Sequence, residues 1–599
     1  MTSPLDDRQL GRLQAALVDL SPLQMAWVSG YLAGLGGLTV AANQAPLSER
    51  AVERAAETGP TLTILYGSQT GNARGVAESL VGLARTRGLE PRLSSMADYR
   101  PRDLARERLL LVVVSTQGEG EPPESARELY AFLHGKRAPR LAGLHFGVIG
   151  LGDSSYEHFC KTAHDFTERL TALGGQPLLA PQYCDVLYQE VANNWSQSAL
   201  ERAAEFLGQR EAQIIQWPDS RLAPPQAAGS EPQTTEPLTA SLLENRPLTT
   251  ADAVGEVRHL ALAIDPTTLR YQPGDALGVW FHNDPALVGQ VLESTGLDGD
   301  LAVILDGQAT DLREALTSRL ELTQLHPTLV KAWAGLTGSK PLAALCEDNA
   351  RLRDYANGHQ FIDLIADYPG RTDAAALTAA LLPLRPRLYS IASSQAETPD
   401  EVHLTVALLR YQVAGQERLG GASGFLTRRL AEDALVRVHL AENPSFRLPS
   451  DGDAPVIMVA AGTGVAPFRA FLQERAARGD RGRNWLLFGN RHFRRDFLYQ
   501  LDWQAHRQAG LLNRVQVAFS RDQADKRYVQ HRLNEQGPEL YAWLQEGAYL
   551  YCCGSTAMGR AVNAALLEVI AREAGIDQET AAERLDTLRR DGRYLRDLY

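Results

Sequence analysis

Two widely separated stretches of the chain repeat one pattern: an unbroken apolar run, a short loop of small polar residues, then a segment with helical spacing. In the first stretch the runs are Leu62 to Tyr66, Leu109 to Val114 and Phe146 to Ile149; from Pro455 onward they are VIMVAA, NWLLFG, RVQVAFS and AYLYCCG. Strands covered by helices on both faces read as continuous apolar runs, so each stretch is expected to form a parallel sheet wrapped by helices. Between them, Val257 to Ile264 and Val402 to Leu409 alternate in the manner of antiparallel strands in a barrel, and Leu- and Ala-rich helical sequence interrupts that barrel from about residue 281 to 384. The expected class is a multidomain α/β chain with a β-barrel between two parallel-sheet domains.

A chain of 599 residues is too long for one core. The pattern divides it into a parallel-sheet domain at 61–208, the barrel with its insertion at 238–450, and a second parallel-sheet domain at 451–599. Residues 217–237, WPDSRLAPPQAAGSEPQTTEP, have linker composition, which places a flexible linker at 209–237. Residues 1–60 read as helical sequence followed by a second linker, with Leu23, Trp27, Val28, Tyr31 and Leu35 at helical spacing after Ser21-Pro22. Ser21 to Leu47 carries no charge and is long enough to span a bilayer. It also holds Gln24, Ser29, Asn43 and four closely spaced glycines, and Asp6, Asp7 and Asp19 precede it, so a docking region is expected rather than a membrane anchor or export signal. The net charge of −12 disfavours nucleic acid as a partner. Cysteines at 160, 184, 346, 552 and 553 do not form a disulfide framework, which points to a reducing, cytoplasmic compartment; no metal site is expected.

The loops after the apolar runs carry the chemistry. Ser68-Gln69-Thr70-Gly71-Asn72-Ala73 joins the first strand to a helix, where hydroxyls and free amides can cradle a phosphate, although a plain polar turn has the same letters. Ser115-Thr116-Gln117-Gly118 and Leu151-Gly152-Asp153-Ser154-Ser155-Tyr156 end the next two strands, at the sheet edge where ligands of such folds bind, and Tyr156 is placed to stack on a flat ring or simply to pack. In the barrel, Arg387-Leu388-Tyr389-Ser390 combines an arginine for pyrophosphate, a stacking tyrosine and a small hydroxyl. Gly462-Thr463-Gly464 lies between a strand and a helix and permits close backbone approach to a pyrophosphate. Ser520-Arg521 and Lys526-Arg527-Tyr528-Val529-Gln530 form the donor cluster that a ribose 2′-phosphate requires, or else a solvated basic loop.

SQTGNA, STQGEGEPP and LGDSSYEHFC, in this order, resemble the flavodoxin-like FMN domain of diflavin reductases. The resemblance implies that the first loop holds the FMN phosphate and that Ser115 to Gly118 and Leu151 to Cys160, including Glu157, His158, Phe159 and Cys160, flank the ring; Gln117 replaces the aromatic that microsomal members place there. RLYSIASS resembles the FAD-binding strand of ferredoxin-reductase-like domains, followed in family order by Thr405, Val406 and Ala407, by Tyr411, and by Gly420, Gly421, Ala422 and Ser423, with Thr323 near the adenine end. SRDQ and KRYVQ resemble the NADPH-binding segment of the same reductases. There the resemblance gives Ser390, Cys553 and Asp597 the catalytic positions around hydride transfer and makes Tyr599 the aromatic that covers FAD. Where relatives carry acidic residues after the Cys-Gly pair, this chain has Ser555 and Ala561.

Over nearly its whole length, LQMAWVSGYLAGL included, the chain resembles the flavoprotein subunits of bacterial assimilatory NADPH-dependent sulfite reductases. That resemblance implies FAD, FMN and NADPH as cofactors and a sirohaem and iron–sulfur haemoprotein (beta) subunit as partner. It also implies sulfite reduction for cysteine synthesis and self-association through residues 1–60. The alternatives are a reductase for another haem or cobalamin protein and a flavin-binding scaffold without turnover.

Overall fold

The computed structural model describes residues 62–69, 71–118, 120–208 and 237–599. The expected N-terminal docking region, the linker up to residue 236 and Thr70 lie outside the described residues.

The first domain is built on a parallel sheet of β1 (Leu62–Gly67), β2 (Pro91–Ser95), β3 (Leu109–Ser115), β4 (His145–Leu151), β5 (Gln176–Pro177) and β6 (Gln182–Cys184). The order is β2-β1-β3-β4-β5, with β6 also paired to β4. Leu109, Leu111 and Val113 face helices Asn72–Thr86 and Gln189–Gly208, while Leu110, Val112 and Val114 face Arg127–His134 and Lys161–Ala172. Both faces are therefore buried, which explains the unbroken apolar run. The chain passes from β1 to β2 on one side and returns to β3 on the other, so the loops after β1 and β3 diverge around a switch point, where open α/β sheets bind ligands.

The second domain is an antiparallel sheet of β7 (Leu238–Pro247), β8 (Val257–Ala263), β9 (Ala276–Val279), β12 (Arg387–Ser390), β13 (Glu401–Ala407) and β16 (Leu435–Ala441), in the order β12-β9-β16-β7-β8-β13. The expected barrel is not a continuous closed ladder. Its end strands meet at a single isolated bridge, Ile391 to Leu404, with the Ala392 amide donating to the His403 carbonyl at 2.8 Å. Closure stops there because the strand turns away to the third domain, where the Ser394 amide donates to Gln473 Oε1 at 3.0 Å. Between β9 and β12 the insertion runs from helix Pro285–Thr295 to helix Ala374–Ala380 and includes the hairpin β10 (Ala302–Leu305) and β11 (Gln308–Asp311). Trp333 and Phe361 lie in the insertion's own core. A second hairpin, β14 (Arg410–Val413) and β15 (Gln416–Leu419), follows β13.

The third domain is parallel throughout, with β17 (Val456–Ala461), β18 (Asn484–Asn490), β19 (Leu512–Phe519), β20 (Tyr549–Gly554) and β21 (Tyr594–Leu598) in the order β19-β18-β17-β20-β21. Its switch point falls between β17 and β20. A buried polar seam joins it to the antiparallel sheet: the Tyr499 hydroxyl lies 3.0 Å from His259 Nδ1 and 2.7 Å from Thr405 Oγ1. Arg469 reaches the Ala392 carbonyl at 2.8 Å and His403 Nδ1 at 3.1 Å. With His403 Nδ1 accepting, Nε2 carries the proton toward Glu401, 2.7 Å away.

Burial, reinforced by the neighbouring His403 ring and the Arg469 charge, pushes the His259 imidazole down to about 2 from an ordinary 6.5. Well above pH 6.5 neither the folded nor the unfolded chain carries this proton. Below it the unfolded chain takes up a proton that the folded chain refuses, so stability is lost as pH falls, by about 2 kcal/mol at about pH 5. Thermal melts from about pH 8 to about pH 5 should show this loss, and His259→Gln should flatten the slope; an equal slope in the variant would exclude His259 as its source.

Candidate functional site

At the first switch point the loops after β1, β3 and β4 enclose a cavity of about 320 Å³ lined by Gln69, Asn72, Ser115, Thr116, Gln117, Gly118, Leu151, Gly152, Asp153, Tyr156, His158, Phe159 and Cys160. Helix Asn72–Thr86 begins after left-handed Gly71 (φ 88°) with no side-chain cap, which leaves its first amides open, and the buried Ser68 hydroxyl has no partner among the described residues. Those are the donors a phosphate satisfies. Asp153 organises the third loop by accepting from the Ser155 amide at 2.8 Å, while the Ser154 amide donates to Asp185 at 3.0 Å. Not every expected residue faces the cavity with its side chain. Ala73 is packed in the core, Glu157 points to solvent, and Cys160 is buried in a left-handed turn, where burial pushes its thiol up to about 12.

A second cavity, of about 200 Å³, adjoins the first and shares Asp153, Val186 and Arg385 with it. Arg387 lines it, with Nη2 held by Glu321 at 2.8 Å and Gln324 at 2.6 Å. Thr323 Oγ1 accepts the Gly421 amide at 3.2 Å, and a β-carbon on Gly421 would sit 2.6 Å from that oxygen, so the Thr323 segment and Gly421 are in intimate contact. Burial pushes the Tyr389 phenol up to about 12, and Tyr411 is half-buried. Leu388 points outward, 54 % exposed. Other expected side chains are engaged elsewhere: Thr405 on Tyr499, Val406 in the sheet interior, Ala422 buried, and Ser423 on the Leu409 amide at 3.2 Å across from Gly420. Of the Thr405–Ala407 run, only Ala407 is exposed.

The third cleft lies at the second switch point. Ser390 Oγ donates to Asp597 Oδ2 at 3.0 Å, and the Cys553 thiol lies 3.7 Å from the same oxygen. The pairing of β20 with β21 sets Cys553 opposite Asp597, and Ser390 arrives from the second domain on β12. Burial pushes the Asp597 carboxyl above its ordinary value, against the hydrogen bonds from Ser390 and Cys553 that pull it down. Burial also raises the Cys553 thiol, which is not poised as a thiolate. Gly462 is left-handed (φ 57°), and a β-carbon on Gly464 would run into the Cys553 carbonyl. The Tyr599 hydroxyl bonds Thr463 Oγ1 at 2.9 Å, although the residue as a whole is 61 % exposed. Ser520 is buried, whereas Arg521, Lys526, Arg527 and Tyr528 form an exposed run; Arg527 pairs with Glu535 at 2.8 Å, and Val529 is buried in the core with Gln530 beside it on the helix.

Sequence reading missed what the domains bring to one another. Val186, Tyr188 and Arg385 line the first cavity, and Glu321, Gln324 and His326 line the second. Tyr188 follows the strand ending at Cys184, so its position after a strand end was a usable signal. Arg385 carried none, because it reaches the first cavity from another domain. His326 Nδ1 accepts from the Thr328 amide, which leaves Nε2 to donate to Asp153, 3.1 Å away in the first domain; Asp185 lies 3.6 Å from the same nitrogen. Both carboxylates also accept backbone amides, so this trio joins the two domains through a hydrogen-bonded junction. Arg385 donates to the Val186 carbonyl at 3.1 Å, and Arg596 lies 3.4 Å from Glu124.

The Flavodoxin family model matches residues 64–203, the FAD binding domain model 231–425 and the Oxidoreductase NAD-binding domain model 458–564. The chain is 47 % identical over 605 residues to the sulfite reductase (NADPH) flavoprotein alpha-component of Shewanella oneidensis, covering 100 % of this chain and 99 % of that one. The proteins of the same description from Yersinia enterocolitica and Vibrio vulnificus are 46 % and 45 % identical, each over 100 % of this chain and over 98 % and 97 % of their own lengths.

Among the described residues the first domain meets its neighbours through polar contacts at His326, Arg385 and Arg596, which high dielectric and salt weaken. Combining His326→Ala with Arg385→Ala should shift the docked-to-undocked ratio roughly tenfold toward release. Small-angle scattering would register this as a larger radius of gyration at unchanged helix content; an unchanged radius would show that these contacts do not hold the domain.

Proposed function

The chain belongs to the family of sulfite reductase (NADPH) flavoprotein alpha-components, and from that premise we propose that it feeds electrons from NADPH through FAD and FMN to a sirohaem and iron–sulfur haemoprotein (beta) subunit that reduces sulfite to sulfide. One observation carries the relay: the three candidate sites are contiguous. The first and second cavities share three residues, and β12 runs from Arg387 at the second cavity to Ser390 at the third cleft. Bound flavins supply the chemistry that connects a two-electron hydride donor to partners accepting single electrons.

The donor sets fit these groups. The Ser68 hydroxyl, without a partner among the described residues, and the uncapped helix suit the FMN phosphate. Arg387 spends Nη2 on Glu321 and Gln324 and Nη1 on the Arg385 carbonyl, which leaves N–H donors of its five for the FAD pyrophosphate. Arg521 and Lys526 have no carboxylate partner among the described residues and suit the 2′-phosphate that distinguishes NADPH. In the third cleft the Asp597 carboxylate favours the positive charge that develops on the nicotinamide ring as hydride departs, with Ser390 and Cys553 holding that carboxylate in place. Tyr599, tethered through Thr463, covers the cleft until the nicotinamide enters. Residues 1–60 carry self-association, 209–237 the linker, and the assembly works in the cytoplasm.

Anaerobic titration with NADPH, followed by addition of the haemoprotein subunit and sulfite, tests this reading. Sulfide is the expected product; flavin bleaching without sulfide would retain the relay and sink the assigned partner. Asp597→Asn should slow flavin bleaching in stopped flow by roughly 10- to 100-fold. Because the ionised carboxylate is the working form and its pKa is raised, the wild-type rate should fall as pH drops through that value, and the Asn variant should lack this acid limb. A wild-type rate in Asp597→Asn would remove Asp597 from the mechanism.

A further inference from the structure

Glu321 is a carboxylate buried to 5 % exposure inside the helical insertion, and every group around its oxygens is a donor. Oε1 accepts from the Thr323 amide at 2.8 Å, the Thr323 hydroxyl at 2.8 Å and the Gln324 amide at 3.1 Å. Oε2 accepts from Arg387 Nη2 at 2.8 Å, and Gln324 Oε1 takes the same nitrogen at 2.6 Å. Thr323, with its proton committed to Glu321, has lone pairs for the Gly421 amide at 3.2 Å. The Glu321 amide is itself pinned to the Leu382 carbonyl at 2.9 Å, close before β12 in sequence. One carboxylate thus ties together the insertion, β12 and the Gly421 turn.

We propose that Glu321 is the positioning residue of the FAD site, fixing the Arg387 guanidinium and the Thr323–Gly421 contact in the arrangement the dinucleotide meets. This rests on the FAD reading above and extends it to a residue with no assigned role there. A guanidinium has several rotatable bonds behind it, and holding Nη2 by a buried carboxylate restricts the orientations it can take in the cavity that both residues line. An amide in place of the carboxylate cannot substitute, because either orientation sets its NH2 against a donor.

The test uses the full-length chain with both flavins. Glu321→Ala and the near-isosteric Glu321→Gln are each purified, their FAD and FMN contents measured after acid extraction, and FAD rebinding titrated on FAD-stripped protein. Both variants should bind FAD on the order of 10-fold or more weakly while retaining FMN at the wild-type level. Adding Arg387→Ala to either should weaken FAD by clearly less than the sum of the two single losses, the non-additivity of residues acting through one another. A general folding defect would instead deplete FMN as well and add to the Arg387 effect. FAD affinity within twofold of wild type, or fully additive losses, overturns the proposal. Wild-type protein lacking FAD would instead count against the FAD reading itself, so the two failures are distinguishable.

Discussion

The relative placement of the second and third domains turns on Arg469. It sits on helix Ala466–Arg478, directly after the Gly462 loop, and its guanidinium is fixed by Asp502 at 2.7 Å within its own domain. From there it reaches the Ala392 carbonyl and His403 Nδ1 across the seam and lies 5.1 Å from the Tyr499 ring centre. Ala392 is two residues beyond Ser390, and the helix carrying Arg469 starts beside Gly464, which abuts Cys553. Fixing this one arginine therefore registers Ser390 against Cys553 and Asp597. The largely buried charge is tolerated here because it is paired with Asp502 and hydrogen-bonded through Nε and Nη1, and the directionality of those bonds supplies what apolar packing lacks, a defined registration of two domains.

The docking of the first domain is of a different kind. The seam buries a histidine, a tyrosine and a threonine that share hydrogen bonds, and separating them would leave buried polar groups unsatisfied. The first domain instead meets its neighbours through His326 with Asp153, Arg385 with a carbonyl, and Arg596 with Glu124, groups that water can satisfy after separation. The cleft assigned to hydride transfer is thus held by a buried seam, while the cavity assigned to FMN is held by contacts that cost little to break. That difference suits a carrier that takes electrons beside the second cavity and delivers them to another protein.

Much of this was legible in the sequence for a local reason. Both parallel sheets announce themselves through continuous apolar runs, because burial on two faces removes every polar position from the strand. The loops after those runs lie at the ligand edge whenever the sheet is parallel, so Ser115 to Gly118 and Gly462 to Gly464 could be placed without coordinates. The triad of Ser390, Cys553 and Asp597 was legible only through resemblance, since its members are far apart in the chain and meet through one antiparallel strand and the register of β20 with β21. How far the barrel closes was not legible: alternation reveals antiparallel strands but not whether the last one completes its ladder, and here the strand after Ile391 is drawn off to Gln473.

What the sequence hid most completely was the material between cavities. Arg385 has no local pattern, and its meaning arises only when a strand of one domain lies against a loop of another. Glu321 looked like one acidic residue in a Leu-rich helical insertion. Its importance comes from being an acceptor surrounded by donors from three segments, a property of the folded chain with no counterpart in spacing or composition. The same holds for Thr405 and Val406, which resemblance placed at a ligand: the pleat of their strand sends alternate side chains to the domain seam and to the sheet interior. Of that run only Ala407, at the strand's exposed end, is free to face a bound group, because the physics of the pleat decides which atoms a strand offers.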